Sequence, residues 1–207
     1  MLEVLEADIT ARNIPGIQEK LKNAKVGIAG LGGLGSNIAV MLAKIGVGKL
    51  LLVDFDKIEA SNLNRQYYDV THLGMLKTDA LKDQLKKINP YVVTETRAVT
   101  ITEDNAAEIF KDYDIVCEAF DKAQNKAFLV NALLEQGGKK IIAASGLNGF
   151  ESSNKITTRR MFANLYVCGD STPPEQEGIG FMAPRVSICA GHQANMIVRL
   201  ILGIEEA

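Results

Sequence analysis

Between Asn62 and Lys77 the chain gathers side chains suited to holding anions. Asn62, Asn64, Arg65 and Gln66 share the stretch "ASNLNRQ", which Ser61 also enters, and Lys77 follows in "GMLKTDAL". A guanidinium can grip a phosphate with two parallel N–H bonds, and a lysine ammonium adds a compact point charge. Upstream, Gly30, Gly32 and Gly35 have the GxGxxG spacing, with Gly33 as a fourth glycine, and Asp54 stands 24 residues after Gly30. Glycines let a backbone approach phosphates, a following helix N-terminus adds N–H groups and a positive dipole, and the acid accepts bonds from ribose hydroxyls. The glycine turn and acid suit NAD and ATP equally. The two cations discriminate. A nicotinamide dehydrogenase has no general need of them, whereas nucleotidyl transfer builds negative charge on the α-phosphate and the departing pyrophosphate. Taken singly, each cation also reads as an ordinary solvated surface residue.

The elements needed to position these groups alternate between extended and helical patterns, which predicts an α/β fold. The pattern gives strands at Val26–Ala29, Leu50–Asp54, Val92–Ala98, Ile115–Ala119 and Lys140–Ala144. The nearly all-apolar first two suit a sheet buried on both faces. Helices are expected at Leu34–Lys44, Leu76–Ile88, Asp104–Phe110 and Lys122–Gln136. Beyond Ser145, "KITTRRMFANLYVCGD" predicts an antiparallel hairpin turning at Phe162–Asn164. "STPPEQEGIG" is a polar connector whose prolines and glycines would suit a lid. A mainly apolar closing helix follows, with Pro184 at its start and Gly203 after it. The expected architecture is a Rossmann-like, mostly parallel sheet with helices on both faces, plus a C-terminal hairpin and closing helix. The expected organisation is one domain over residues 1–207: an N-terminal helical segment (1–24), a nucleotide-binding core (25–145), and the hairpin, loop and closing helix (146–207).

At 207 residues the chain suits one substantial domain. A net charge of -2 indicates no large basic surface for nucleic acid. No apolar run reaches the ~18 residues of a membrane span, and the N-terminus lacks a signal-peptide pattern, so a cytoplasmic location is expected. Cys117, Cys168 and Cys189 have no CxxC spacing and read as reduced thiols.

"GLGGLGSN", "LLVDFDKIEASNLNRQ", the lysine of "GMLKTDAL", "DIVCEAFDKAQNK" and "GFMAPRVSICAGHQAN" occur in this order and together resemble the ThiF/MoeB family, related to the ubiquitin-activating enzymes. The resemblance runs from about Ile14 to Gly203. The short form, with "ARNIPGI" near its start, looks most like a compact ThiF-type protein of thiamine biosynthesis. The resemblance implies ATP and Mg²⁺ as the cofactors. Gly30, Gly32, Gly33 and Gly35 would form the phosphate turn, Asp54 would hold the ribose, and Asp56 and Ser61 to Gln66 would line the nucleotide. Arg65 and Lys77 would take the phosphates, and Asp121 would take the magnesium. Asp121 also reads as an N-cap of the helix that follows it. The implied activity is adenylation of the C-terminal glycine of a ubiquitin-like, ThiS-like sulfur carrier. A terminal carboxylate has a pKa near ~3.5 and attacks as an anion, so no general base is required and neither His72, read as a surface or helix-entry residue, nor His192, read as a packing residue, need be catalytic.

The chain departs from many relatives in two ways. Cys168 stands alone where a zinc-binding CxxC pair would begin, so no structural zinc is expected. "STPPEQEGIGFMAP" lacks the cysteine that relatives use for covalent linkage to the carrier, and Cys168 just upstream is a poor substitute. The resemblance also implies a homodimer in which an N-terminal arginine, here Arg12, reaches the partner's site. The alternatives are adenylation of a molybdopterin-type carrier, a tRNA base or a peptide terminus, a non-catalytic carrier-binding partner, and an NAD(P) dehydrogenase.

Overall fold

A computed structural model describes residues 4–172 and 180–207. The connector expected to act as a lid falls largely on residues 173–179, outside the described residues. Two short helices, α1 (Glu6–Thr10) and α2 (Gln18–Asn23), precede a run of β1 (Lys25–Ala29), α3 (Gly33–Lys44), β2 (Lys49–Val53), α4 (Lys77–Ile88), β3 (Val93–Arg97), α5 (Glu103–Ile109), β4 (Ile115–Glu118), α6 (Ala123–Gln136) and β5 (Lys140–Ala144). The hairpin β6 (Thr157–Phe162) and β7 (Leu165–Gly169) follows, and α7 (Ala183–Ile201) closes the chain. Each expected strand and helix is present, with ends displaced by at most two residues. Asp54 lies just beyond β2 rather than inside it.

Among the described residues seven strands form one sheet in the order β3-β2-β1-β4-β5-β7-β6, parallel except for the β6–β7 pair. Alternate strand residues feed two cores. Val26, Ile28, Leu50, Leu52, Ile142 and Tyr166 face α3, α4 and α7, while Leu51, Val53, Val116, Ile141 and Ala143 face α5 and α6. This period-two division is what a sheet buried on both faces requires. The N-terminus of α7 follows Met182, with Pro184 in its first turn, where a missing N–H costs nothing. No described helix is long and apolar enough to cross a membrane.

Strand order reverses between β1 and β4. The chain runs outward from β1 to β2 and β3 on one side, then returns to β4 and continues to β5 on the other. In doubly wound sheets a crevice opens at this reversal, outside the carboxyl ends of the strands.

Candidate active site

The crevice is a cavity of about 380 Å³ lined by residues that immediately follow strand after strand. Gly30, Gly32 and Gly33 come from beyond β1, Asp54, Phe55 and Asp56 from beyond β2, and Val99 to Ile101 from beyond β3. Ala119 to Asp121 follow β4, Ser145 to Asn148 follow β5, and Thr172 follows β7. Arg65, Gln66, Lys77, Lys126 and Phe181 also line it.

The glycine turn is built for close approach in one place and for packing in another. Gly30 has φ 90°, in the left-handed region, and donates its amide to Val53 O at 2.9 Å. A Cβ on Gly33 would sit 2.9 Å from Val186 Cγ1 and 3.4 Å from Arg65 Cγ, inside the cavity wall. The amides of the first turn of α3 start here and have no carbonyl partner within the helix. A Cβ on Gly35 would instead lie 1.9 Å from Gly30 O, so this glycine serves the packing of turn on helix and does not line the cavity. Gly33→Ala is therefore expected to weaken ATP binding by roughly tenfold or more and also to lower the melting temperature, because the buried Val186 side chain must give way. Gly35→Ala should lower stability by about 1–3 kcal/mol through overpacking. Calorimetric ATP titration and thermal melts of both variants check this division.

Asp54 is fixed by the backbone around it. Its Oδ2 accepts the Leu31 amide at 2.7 Å and its Oδ1 the Asp56 amide at 2.8 Å. Burial raises its pKa, and Lys77 and the two amides only partly offset the rise. Lys77, read singly from sequence as a solvated residue, is buried. Its ammonium donates to Asp56 Oδ2 at 2.7 Å and lies 4.0 Å from Asp54 Oδ2. Its position is set by the backbone: the Lys77 amide donates to Asp56 O, and Lys57 and Leu76 form a bridge that stitches the Asp56 loop to the start of α4. Arg65 is half-buried, donating from Nη1 to Ser61 O and Asn64 Oδ1, with its guanidinium over the Phe181 ring at 5.6 Å. Gln66 is buried at the cavity, and its Oε1 finds no hydrogen-bond partner among the described residues.

Nine of the residues singled out from sequence thus line one cavity: Gly30, Gly32, Gly33, Asp54, Asp56, Arg65, Gln66, Lys77 and Asp121. Ser61, Asn62 and Asn64 stand outside it. Ser61 and Asn64 support Arg65, Asn64 Nδ2 also donates to Phe181 O, and Asn62 caps its own turn by accepting the Glu59 amide. Arg12 is exposed and not part of the lining. Asp121 is exposed at the cavity, but the N-cap position of α6 belongs to Lys122 and carries no side-chain capping bond, so the capping reading does not hold. His72, expected near the surface, is buried in a 3-10 turn at Val70–His72, where its Nδ1 accepts the Asp69 amide at 3.1 Å. His192 packs with Nδ1 3.0 Å from Thr158 Oγ1. All three cysteines are buried. Burial pushes the Cys168 thiol up to about 11 and the Cys189 thiol up to about 12, so neither is poised as a nucleophile.

Two ion pairs, one of which brings Lys126 to the cavity lining, escaped the sequence reading. Glu118, inside apolar β4, is fully buried and holds Lys126 at 3.1 Å and the Phe120 amide at 2.6 Å, fixing the turn that carries Asp121. Its pKa is raised by burial against the pull of Lys126. Asp170, beyond β7, pairs with Arg185 in the first turn of α7. The signals were present in principle: a glutamate in the strand "DIVCEAF", and an arginine opening a mainly apolar helix. Phe55, Val99, Ile101, Phe120 and Phe128 add an apolar flank that no spacing rule announces.

The sequence and the fold are shared with known proteins. The model of the ThiF family matches residues 6–207. The adenylyltransferase and sulfurtransferase UBA4 of Kluyveromyces lactis is 35% identical over 195 residues, covering 90% of this chain and 43% of that protein. UBA4 of Saccharomyces cerevisiae is likewise 35% identical over 195 residues, covering 90% and 44%. The chain therefore spans less than half the length of these curated relatives. Among solved structures, Escherichia coli MccB with MccA-N7isoASN superposes with a TM-score of 0.72 at 27% identity, covering 89% of this chain and 58% of that one. The E. coli tRNA N6-threonylcarbamoyladenosine dehydratase TcdA, in complex with ATP, gives a TM-score of 0.86 at 17% identity over 98% of both chains, a likeness of fold. With nearly its whole length matched, the chain belongs to the ThiF family.

Proposed function

We propose that the protein is an ATP-dependent adenylyltransferase that activates the C-terminal glycine carboxylate of a ubiquitin-like, ThiS-like sulfur carrier as an acyl-adenylate, releasing pyrophosphate, as in thiazole formation for thiamine. The observation that carries the reading is the meeting of Lys77 and Arg65 with the glycine turn at Gly30, Gly32 and Gly33 in one crevice. A dehydrogenase site has no use for a buried ammonium at that place. The UBA4 relatives, named as adenylyltransferases and sulfurtransferases, support the same chemistry. The net charge of -2 favours a carrier over a tRNA substrate.

The residues present fit ATP. Gly32 leaves open space beside the turn, where a Cβ would meet only Gln66 Nε2 at 3.9 Å, and Gln66 Oε1 is a buried acceptor in need of a donor. Asp54, held rigid by two amides, suits the ribose hydroxyls. The amides at the start of α3 and the two cations would bind the phosphates and stabilise the charge that grows as the carboxylate attacks and pyrophosphate leaves. The attacking group is already an anion, so the site aligns and neutralises rather than moving a proton. Asp121 would hold Mg²⁺, which usually takes one or two carboxylates and completes its shell with phosphates and waters; when bound it would add charge neutralisation. A homodimer completed by Arg12 of the partner subunit belongs to this proposal.

Pyrophosphate–ATP exchange with candidate carriers tests the reading. Carrier-dependent exchange is expected, and preferential binding of NAD(H) over ATP would overturn it. Asp121→Asn should raise the magnesium requirement for exchange while leaving metal-free ATP binding unchanged. Wild-type magnesium dependence in that variant would remove Asp121 from the metal site. Because Asp121 caps nothing, loss of helix stability does not complicate the comparison.

A further inference from the structure

Lys77 has two carboxylate neighbours of different kinds. Asp54 is immobile: both of its oxygens accept backbone amides, and its side chain is 8% exposed. It stands 4.0 Å from the ammonium. Asp56 makes the close contact, 2.7 Å, yet its side chain is 48% exposed. Among the described residues the only hydrogen bond to its carboxylate comes from Lys77 itself. The backbone bond from Lys77 N to Asp56 O and the Lys57–Leu76 bridge keep the lysine in place whatever the Asp56 side chain does.

From this asymmetry we propose that Asp56 is a place-holding counter-ion, which pairs with Lys77 until a nucleotide phosphate takes the ammonium over and Asp56 turns to solvent. The idea rests on the nucleotide reading above but reverses the role that the family resemblance implies for Asp56. Instead of holding the nucleotide, it competes with it. A buried ammonium without a partner would be costly. A fixed partner alone would have to be matched against the incoming anion. A half-exposed carboxylate on a stitched loop solves both problems, since it satisfies the charge and regains its hydration on release. Asp54 cannot serve in this way because leaving would strand two amides.

Isothermal calorimetry of wild type, Asp56→Asn and Asp56→Ser with adenosine, AMP and ATP, in EDTA at low salt and again with Mg²⁺ in place of EDTA, is the test. Both variants remove the competing charge at an exposed position without touching the backbone stitching. ATP is expected to bind about three- to tenfold tighter than to wild type, the size of one screened charge interaction near a surface, AMP should gain less, and adenosine should not change. Melting temperature without nucleotide should fall in both variants, and the rise on adding ATP should exceed that of wild type. Equal shifts for adenosine and ATP, or weaker ATP binding, would overturn the proposal. So would a loss of ATP affinity seen only with Mg²⁺, which would make Asp56 a metal ligand. A wild type that binds adenosine and ATP alike, or neither, would instead sink the nucleotide reading itself.

Discussion

Lys77→Ala should slow adenylation by about 10²–10³-fold while the protein still folds and binds adenosine. The size follows from where the ammonium sits. It is buried at the wall of the crevice, so its field on a phosphate is weakly screened. It acts mostly on charge that develops during transfer, so its loss should appear in kcat more than in the KM for ATP. The fold should tolerate the change because α4 begins on backbone bonds and on Thr78, Ala80 and Leu81, which are buried. Some stability is nevertheless lost with the lysine. Burial already raises the Asp54 pKa, and Lys77 is the largest influence opposing that rise. Without it the Asp54 carboxyl titrates higher still. The stability deficit of the variant should then be largest at neutral pH and shrink on acidification, as Asp54 takes up a proton and no longer needs a cation. Exposed Lys82 lies on the same helix, and Lys82→Ala serves as the control for a generic loss of positive charge. Exchange rates in a folded Lys77→Ala protein equal to those of Lys82→Ala would remove Lys77 from the chemistry.

Much of this site could be read before any coordinates. The reason is that local chemistry and topology coincide at the carboxyl ends of parallel strands. The GxGxxG turn must follow a strand and open a helix, and once β1 and β2 are recognised, Asp54 has to emerge next to it. The buried strands announce themselves as apolar runs, and Pro184 and Gly203 mark the ends of α7. What stayed hidden depends on distant partners. Ser61, Asn62 and Asn64 share a motif with Arg65, yet Ser61 and Asn64 accept bonds from its guanidinium and Asn62 accepts the Glu59 amide in the 3-10 turn at Ala60–Asn62, so none of them lines the cavity. Asp121 precedes a helix, as an N-cap would, but the chain extends one further residue before the helix begins. His72 is buried because α4 folds back over it and brings Gln84 beside its ring. Glu118 and Arg185 are charges in apolar stretches whose partners lie 8 and 15 residues away in sequence, and no local rule supplies those partners.

The pair formed by Asp170 and Arg185 carries the second large expectation, which concerns stability. Their side chains are 1% and 4% exposed, so neither charge has water to fall back on. Arg185 Nη2 donates to Asp170, while Nη1 donates to Glu151 O and Ser152 O. Asp170 also accepts the amide and hydroxyl of Thr172. One ion pair thus ties the end of β7 and the start of α7 to the loop after β5, and that loop forms the cavity wall at Ser145–Asn148. Removal of either partner leaves a buried charge uncompensated, for which about 3–5 kcal/mol is the expected cost. Asp170→Ala and Arg185→Met should each show a loss of this size in urea unfolding. The double variant Asp170→Ala/Arg185→Met should be much less destabilised than the sum, because it strands no charge. The pH dependence has a definite sign. Burial pushes the Asp170 carboxyl up, but its bonds from Thr172 and the nearby guanidinium outweigh that, and its pKa lies below the usual carboxylate value. A group whose folded pKa is depressed contributes stability above its unfolded pKa and loses it as pH falls through the folded one. Wild type should therefore give up this contribution on acidification below about pH 4, where unperturbed aspartate titrates. Asp170→Ala, with nothing to protonate there, should converge on wild type over the same range. A gap between the two unfolding curves that stays constant from neutral to acid pH would mean that the pair contributes packing and not charge.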